Sequence, residues 1–124
     1  MKKSTLFSVL LMFLVFQLSA RTIYVSTTGN DSNDGSEASP ILNIQTAVNL
    51  AQPGDMIYLR GGTYMLTKRV KIDKAGTADK RICMWGYPGE RVIIDCSQEV
   101  VTTVNEFKQA RCIYVNHFGD YWHF

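Results

Sequence analysis

The hydrophobic pattern of the chain changes period along its length. From Leu6 to Leu18 ("LFSVLLMFLVFQL") apolar residues follow one another almost without interruption, after Lys2 and Lys3 and before Ser19-Ala20. "TIYVS", Thr22 to Ser26, is β-branched and aromatic and predicts a first strand. Thr27 to Pro40 ("TTGNDSNDGSEASP") is nearly all turn formers, with Gly29 and Asp34-Gly35 suited to positive φ. Ile44, Ala47, Val48 and Ala51 then fall at i, i+3, i+4 and i+7. That stripe predicts a short helix with Asn43 as N-cap, ended by Pro53-Gly54.

After the helix the period shortens. "MIYL" (Met56–Leu59), "RVKI" (Arg69–Ile72), "ICMW" (Ile82–Trp85), "RVIID" (Arg91–Asp95), "CIYVN" (Cys112–Asn116) and "YWHF" (Tyr121–Phe124) predict short strands. "RGGTY", "KAGTADKR", "YPGE" and "HFGD" read as connectors between them, each with a glycine that suits a corner. The strands lack the Asn-Gly and Asp-Gly turns of an antiparallel meander, and one amphipathic helix precedes them. An open stack of coils needs such a cap, because its first coil otherwise exposes apolar interior and unpaired strand edges.

Residues 1–20 have the basic n-region, apolar h-region and small-residue end of a secretory signal peptide, with cleavage after Ala20 leaving Arg21 first. The apolar run is shorter than the roughly 20 residues a membrane span needs. A secreted product, extracellular or periplasmic, with no membrane association after cleavage, is therefore expected. Loss of the leader takes Lys2 and Lys3 with it and brings the formal charge from +2 to zero, which leaves no electrostatic case for nucleic acid. Cys83, Cys96 and Cys112 are an odd number for an oxidising compartment, so at least one is free, intermolecular, or paired beyond this sequence. None has the spacing of a zinc or redox site, and the simplest expectation for them is small buried residues on strands.

Tyr24 to Tyr64 ("YVSTTGNDSNDGSEASPILNIQTAVNLAQPGDMIYLRGGTY") resembles the N-terminal cap of secreted right-handed parallel β-helix proteins, chiefly the pectate lyases of polysaccharide lyase family nine. "KAGTADKRICMWGYPGERVIID" is similar to the first-coil segment of that family, and "CIYVNHFGDYWHF" to the start of its regular coils. The resemblance implies an all-β, right-handed parallel β-helix, truncated here. Residues 1–20 would be the signal peptide, 21–55 the first strand, loop and capping helix, and 56–124 the first coils, incomplete at the C-terminus. It further implies a parent enzyme, a monomer, that cleaves pectate, an acidic plant polysaccharide, by β-elimination. Ca²⁺ held by aspartates would neutralise the uronate carboxylate, and a lysine would remove the α-proton. No position here matches those residues, so no catalytic, cofactor or metal residue is assigned and the fragment alone is expected to be inactive. Lyases for rhamnogalacturonan or alginate, and non-catalytic surface or carbohydrate-binding β-helices, are the alternatives.

The residue types that could carry such chemistry also have plainer roles. Asn30 to Gly35 superficially resembles a calcium loop, but the twelfth position is Ile41 and not Glu, so a turn is expected. Asn30-Asp31-Ser32 also fits a glycosylation acceptor. His117, Asp120 and His123 are three apart but straddle Gly119, between β-type runs, and are not expected to converge on a metal. Lys68, Arg69 and Lys71 form the densest basic patch; alternation with Val70 and Ile72 predicts the solvated face of a strand. Trp85, Tyr87 and Trp122 could stack on sugar rings, with packing between coils the plainer expectation.

Overall fold

The computed structural model describes residues 19–98, 112–115 and 121–124. Within them the chain forms strand β1 (Thr22–Val25), helix α1 (Ile44–Leu50), and strands β2 (Met56–Leu59), β3 (Gly62–Met65), β4 (Val70–Ile72), β5 (Ile82–Gly86), β6 (Val92–Asp95), β7 (Ile113–Val115) and β8 (Trp122–His123). All pairings among these strands are parallel. They make one sheet in the order β1-β2-β5-β8 and two pairs, β3-β6 and β4-β7. One turn of the coil is thus β2, β3, β4. The next is β5, β6, β7, and β8 opens a third. This is the expected parallel β-helix.

Strand alternation decides what points inward. Ile23, Ile57 and Met84 share one register position and Val25 and Leu59 another, all buried, and Ile82 of β5 and Val70 and Ile72 of β4 are buried as well. Full burial of one such side chain contributes about 1.5–3 kcal/mol, so the short strands are held by the interior they share. Helix α1 lies across the end of this interior with Ile44, Ala47 and Val48 turned in. Ile41, fully buried, bridges to Val25 and joins loop to sheet.

The cap also closes strand edges. β1 covers the outer edge of β2. The outer edge of β4 is met by a side chain: the Gln45 amide accepts from the Lys71 N–H at 2.7 Å and donates to the Lys71 carbonyl at 3.0 Å, standing in for a neighbouring peptide. At the far end of α1, Arg21 donates to Leu50 O, and Lys74 Nζ reaches the carbonyls of Asn49 and Ala51. Cations from elsewhere in the chain thus satisfy the helix's last acceptors.

Four expectations change. "RGGTY" is not only a connector: Gly62 turns the corner at φ 136° and β3 begins there. Asn43 occupies the N-cap position, but its side chain makes no cap hydrogen bond and instead donates to the Asp31 carboxylate. Gly29 is needed for room and not for positive φ, since a Cβ there would lie 2.4 Å from Ile41 O. Finally, Cys96 and Cys112 are not buried apolar residues but a disulfide, which leaves Cys83 free and half-buried. The disulfide closes the neck of the β6–β7 connection, residues 96–112, which is far longer than the corresponding residues 66–69 of the first coil.

Candidate functional site

Outward residues of the four-stranded sheet line up across strands because parallel register places like positions side by side. Tyr24, Tyr58 and Trp85 form one such row, and Thr22, Met56, Cys83 and His123 fall in another. The Tyr24 and Tyr58 rings are 6.0 Å apart, Tyr87 closes edge-on against Tyr58 at 5.6 Å, and His123 meets Trp85 edge-on at 4.9 Å. Trp85 keeps 42% of its surface exposed, so this aromatic row is open to solvent.

Charge at the end of the row favours the fold over an acidic ligand. Arg60 sits 4.4 Å over the Tyr87 ring, but its guanidinium is held by Glu90 at 2.7 and 3.1 Å and approached by Glu37 at 3.8 Å. The Arg60 hydrogen bonds, with a further one from the Gly61 N–H, keep the Glu90 carboxyl below its usual range. Two carboxylates thus surround one committed cation. The Tyr24 phenol is pushed up by desolvation and by Glu37.

Sequence-singled residues are distributed unevenly. Lys68, Arg69 and Lys71 line a groove of about 830 Å³ between the start of α1 and the β3–β4 corner, with Gln45 and Leu66. Lys71 is exposed between buried Val70 and Ile72, as the alternation predicts. Trp122 packs inward against the core and donates to Lys74 O at 2.7 Å, whereas Trp85 and Tyr87 lie on the outer face. His117 and Asp120 fall outside the described residues. His123, from the same spacing, is engaged by Trp85.

The described carboxylates do not fit calcium. Asp31 accepts from the Leu42 and Asn43 N–H groups and from the Asn43 amide; these hydrogen bonds outweigh its partial desolvation and lower its pKa. Asn30 and Asp34 close turns onto the N–H groups of Ser32 and Ser36, as expected of "NDSNDG", and Asp95 does so onto Ser97. Asp55, 3% exposed, accepts from the N–H groups of Arg21 and Gln52 and from Arg21 Nε. Calcium needs several oxygens facing one point. Among the described residues no group of three or more His, Cys, Asp or Glu side chains is so placed. Asp55 is the polar residue that sequence reading missed, and only its place after Pro53-Gly54 and before a strand hinted at a capping role.

A family model described as the Pel9A-like, right-handed β-helix region matches residues 23–124. Pectate lyase PEL9 of Emericella nidulans is 47% identical over 76 residues, 61% of this chain and 18% of that protein. Pectate lyase L of Paenibacillus polymyxa is 31% identical over 107 residues, 85% of this chain and 22% of that protein. The solved structure of pectate lyase Pel9A superposes with a TM-score of 0.65 at 27% identity, over 86% of this chain and 27% of that one. The chain therefore spans about a fifth of the length of these two curated relatives.

Proposed function

The chain belongs to the Pel9A-like right-handed β-helix family, and on that premise we propose that it supplies the N-terminal cap and first coils of a secreted polysaccharide lyase acting on pectate. The likeness to PEL9, 47% identical, is the observation that carries this reading. In this reading residues 1–20 are the leader, 21–55 the cap and 56–124 the first coils of a monomer. The reaction is β-elimination, in which a base removes the proton α to the uronate carboxylate and the 4-linked sugar leaves. In this reading the calcium-binding aspartates and the base lie on coils outside the described residues, among which no group of three or more His, Cys, Asp or Glu side chains is placed to hold a metal.

The cap's contribution is architectural. β1, α1 and Gln45 close the end from which later coils are stacked, so that their outer faces hold a fixed register. The test is to incubate the full gene product and the 124-residue chain separately with polygalacturonate, with and without a calcium chelator. The full product is expected to generate unsaturated uronide absorbing at 235 nm in the presence of Ca²⁺, and the 124-residue chain none. Hydrolytic products without that absorbance, or activity from the 124-residue chain, would overturn the assignment.

A further inference from the structure

The hydrogen bonds around Asp55 reach the bond at which the leader is expected to end. Arg21 is held at four points: its N–H donates to Asp55 Oδ1 at 3.0 Å, its Nε to Asp55 Oδ2 at 3.2 Å, its terminal guanidinium nitrogen to Leu50 O at 2.7 Å, and its carbonyl accepts from Met56 N–H at 2.9 Å. Ser19 and Ala20, immediately before it, are exposed. Arg21 and Thr22 are exposed as well, so what sets Arg21 apart from Ser19 and Ala20 is this set of hydrogen bonds, which begins just after the Ala20–Arg21 peptide bond. Asp55 is buried to 3% exposure, and the guanidinium facing it belongs to a side chain that is 47% exposed.

We propose that Asp55 is the receptor for a new N-terminus: cleavage at Ala20–Arg21 converts the Arg21 N–H into an α-ammonium in direct contact with the buried carboxylate, locking β1 onto the first coil. The inference rests on the leader reading given above. In the cleavage step a leader peptidase adds water across the bond. Ala20 keeps the carboxylate, Arg21 keeps the amine, and at neutral pH the amine carries the extra proton. One of its three N–H groups replaces the existing donor to Oδ1, and the others face the side vacated by Ala20. A charged donor makes a hydrogen bond roughly twice as strong as a neutral one. The other groups around the site are the Arg21 guanidinium itself, Lys74 at Ala51 O, Lys80 beside Gly54, and the Cys83 thiol of β5, whose own N–H donates to Asp55 O.

Pairing raises the α-amine's folded pKa above its unfolded value of about 8. Its contribution to stability is thus full below about pH 8 and disappears as pH rises through the folded pKa. The experiment compares the full gene product released from a fusion so as to begin at Arg21 with the same product beginning at Ser19, alongside the first residue of exported protein read by mass spectrometry. The expected results are export with Arg21 first, an Arg21 amine that trace acylation titrates at least one unit above about 8, and a Ser19 amine that titrates near 8. The Arg21-first form should also melt several degrees higher at pH 7, an advantage lost by pH 10.5. D55N should return the Arg21 amine to about 8; if D55N does not fold, the comparison of the two start points still decides. Exported protein with another first residue overturns both the leader boundary and the capture. Arg21 first, with an amine titrating at about 8, overturns the capture alone.

Discussion

Removing the Tyr64 hydroxyl should cost stability at neutral pH and distinctly less in alkali. Tyr64 is 5% exposed, and its hydroxyl stands 2.7 Å from Arg60 O and 3.0 Å from Val25 O, donating to one of them at a time. Val25 O already accepts from Arg60 N–H, so the Arg60 carbonyl depends more on the phenol. Loss of a buried hydrogen bond that leaves its partner unpaired costs about 1–2 kcal/mol, the expected deficit of Y64F at pH 8. Burial, reinforced by the charge of Glu90, pushes the phenol's pKa up to about 12. A group that holds its proton more tightly when folded leaves stability level below about pH 10 and erodes it as pH climbs toward 12. At pH 11 the loss in the native sequence is about 1 kcal/mol, allowing for solvent screening near the hydroxyl. Y64F has no such proton to lose, and other tyrosines such as Tyr24 titrate in both chains and cancel. Urea unfolding of both chains at pH 8 and pH 11 should therefore show the gap shrinking by about 1 kcal/mol. A gap that stays constant, or is absent at pH 8, refutes the buried, proton-holding role.

Breaking the Cys96–Cys112 disulfide, by reduction or as C96S/C112S, should lower unfolding free energy by roughly 3 kcal/mol, the chain-entropy value for a loop closed across a separation of 16 residues. Urea titration checks the magnitude, and a thiol assay of unreduced, unfolded protein should find the single thiol of Cys83. G29A and G89A separate two uses of glycine. The new Cβ at 29 would press on the backbone of Pro40 and Ile41 at 2.4–2.6 Å, and should cost more than the roughly 1 kcal/mol due to positive φ at Gly89, where nothing lies within 4 Å. Equal melting temperatures for the two variants would contradict the close approach.

Much of the fold was legible because its signals are local. The predicted runs at 56–59, 82–85 and 91–95 became β2, β5 and β6 to within a residue, since alternation of apolar side chains reports one buried face directly. Helix α1 followed from its stripe. β3 was hidden because two glycines at its start read as a turn, while the partner that makes it a strand, Val92–Asp95, lies a full coil later. Trp122 and Trp85 looked alike in sequence. Register sends one inward and the other out.

The chain's periodicity by itself determined that short strands follow one amphipathic helix, and the residues of the cap carried the family likeness that implied their parallel stacking. Only the tertiary structure decided where polar groups are spent. Asp31 holds the Asn43 amide, Gln45 plays the part of a missing strand beside Lys71, Asp55 binds Arg21, and Cys96 finds Cys112. The reason is physical: an apolar face is required by each element alone, whereas a buried donor or acceptor must be matched by whichever group the coils bring near it.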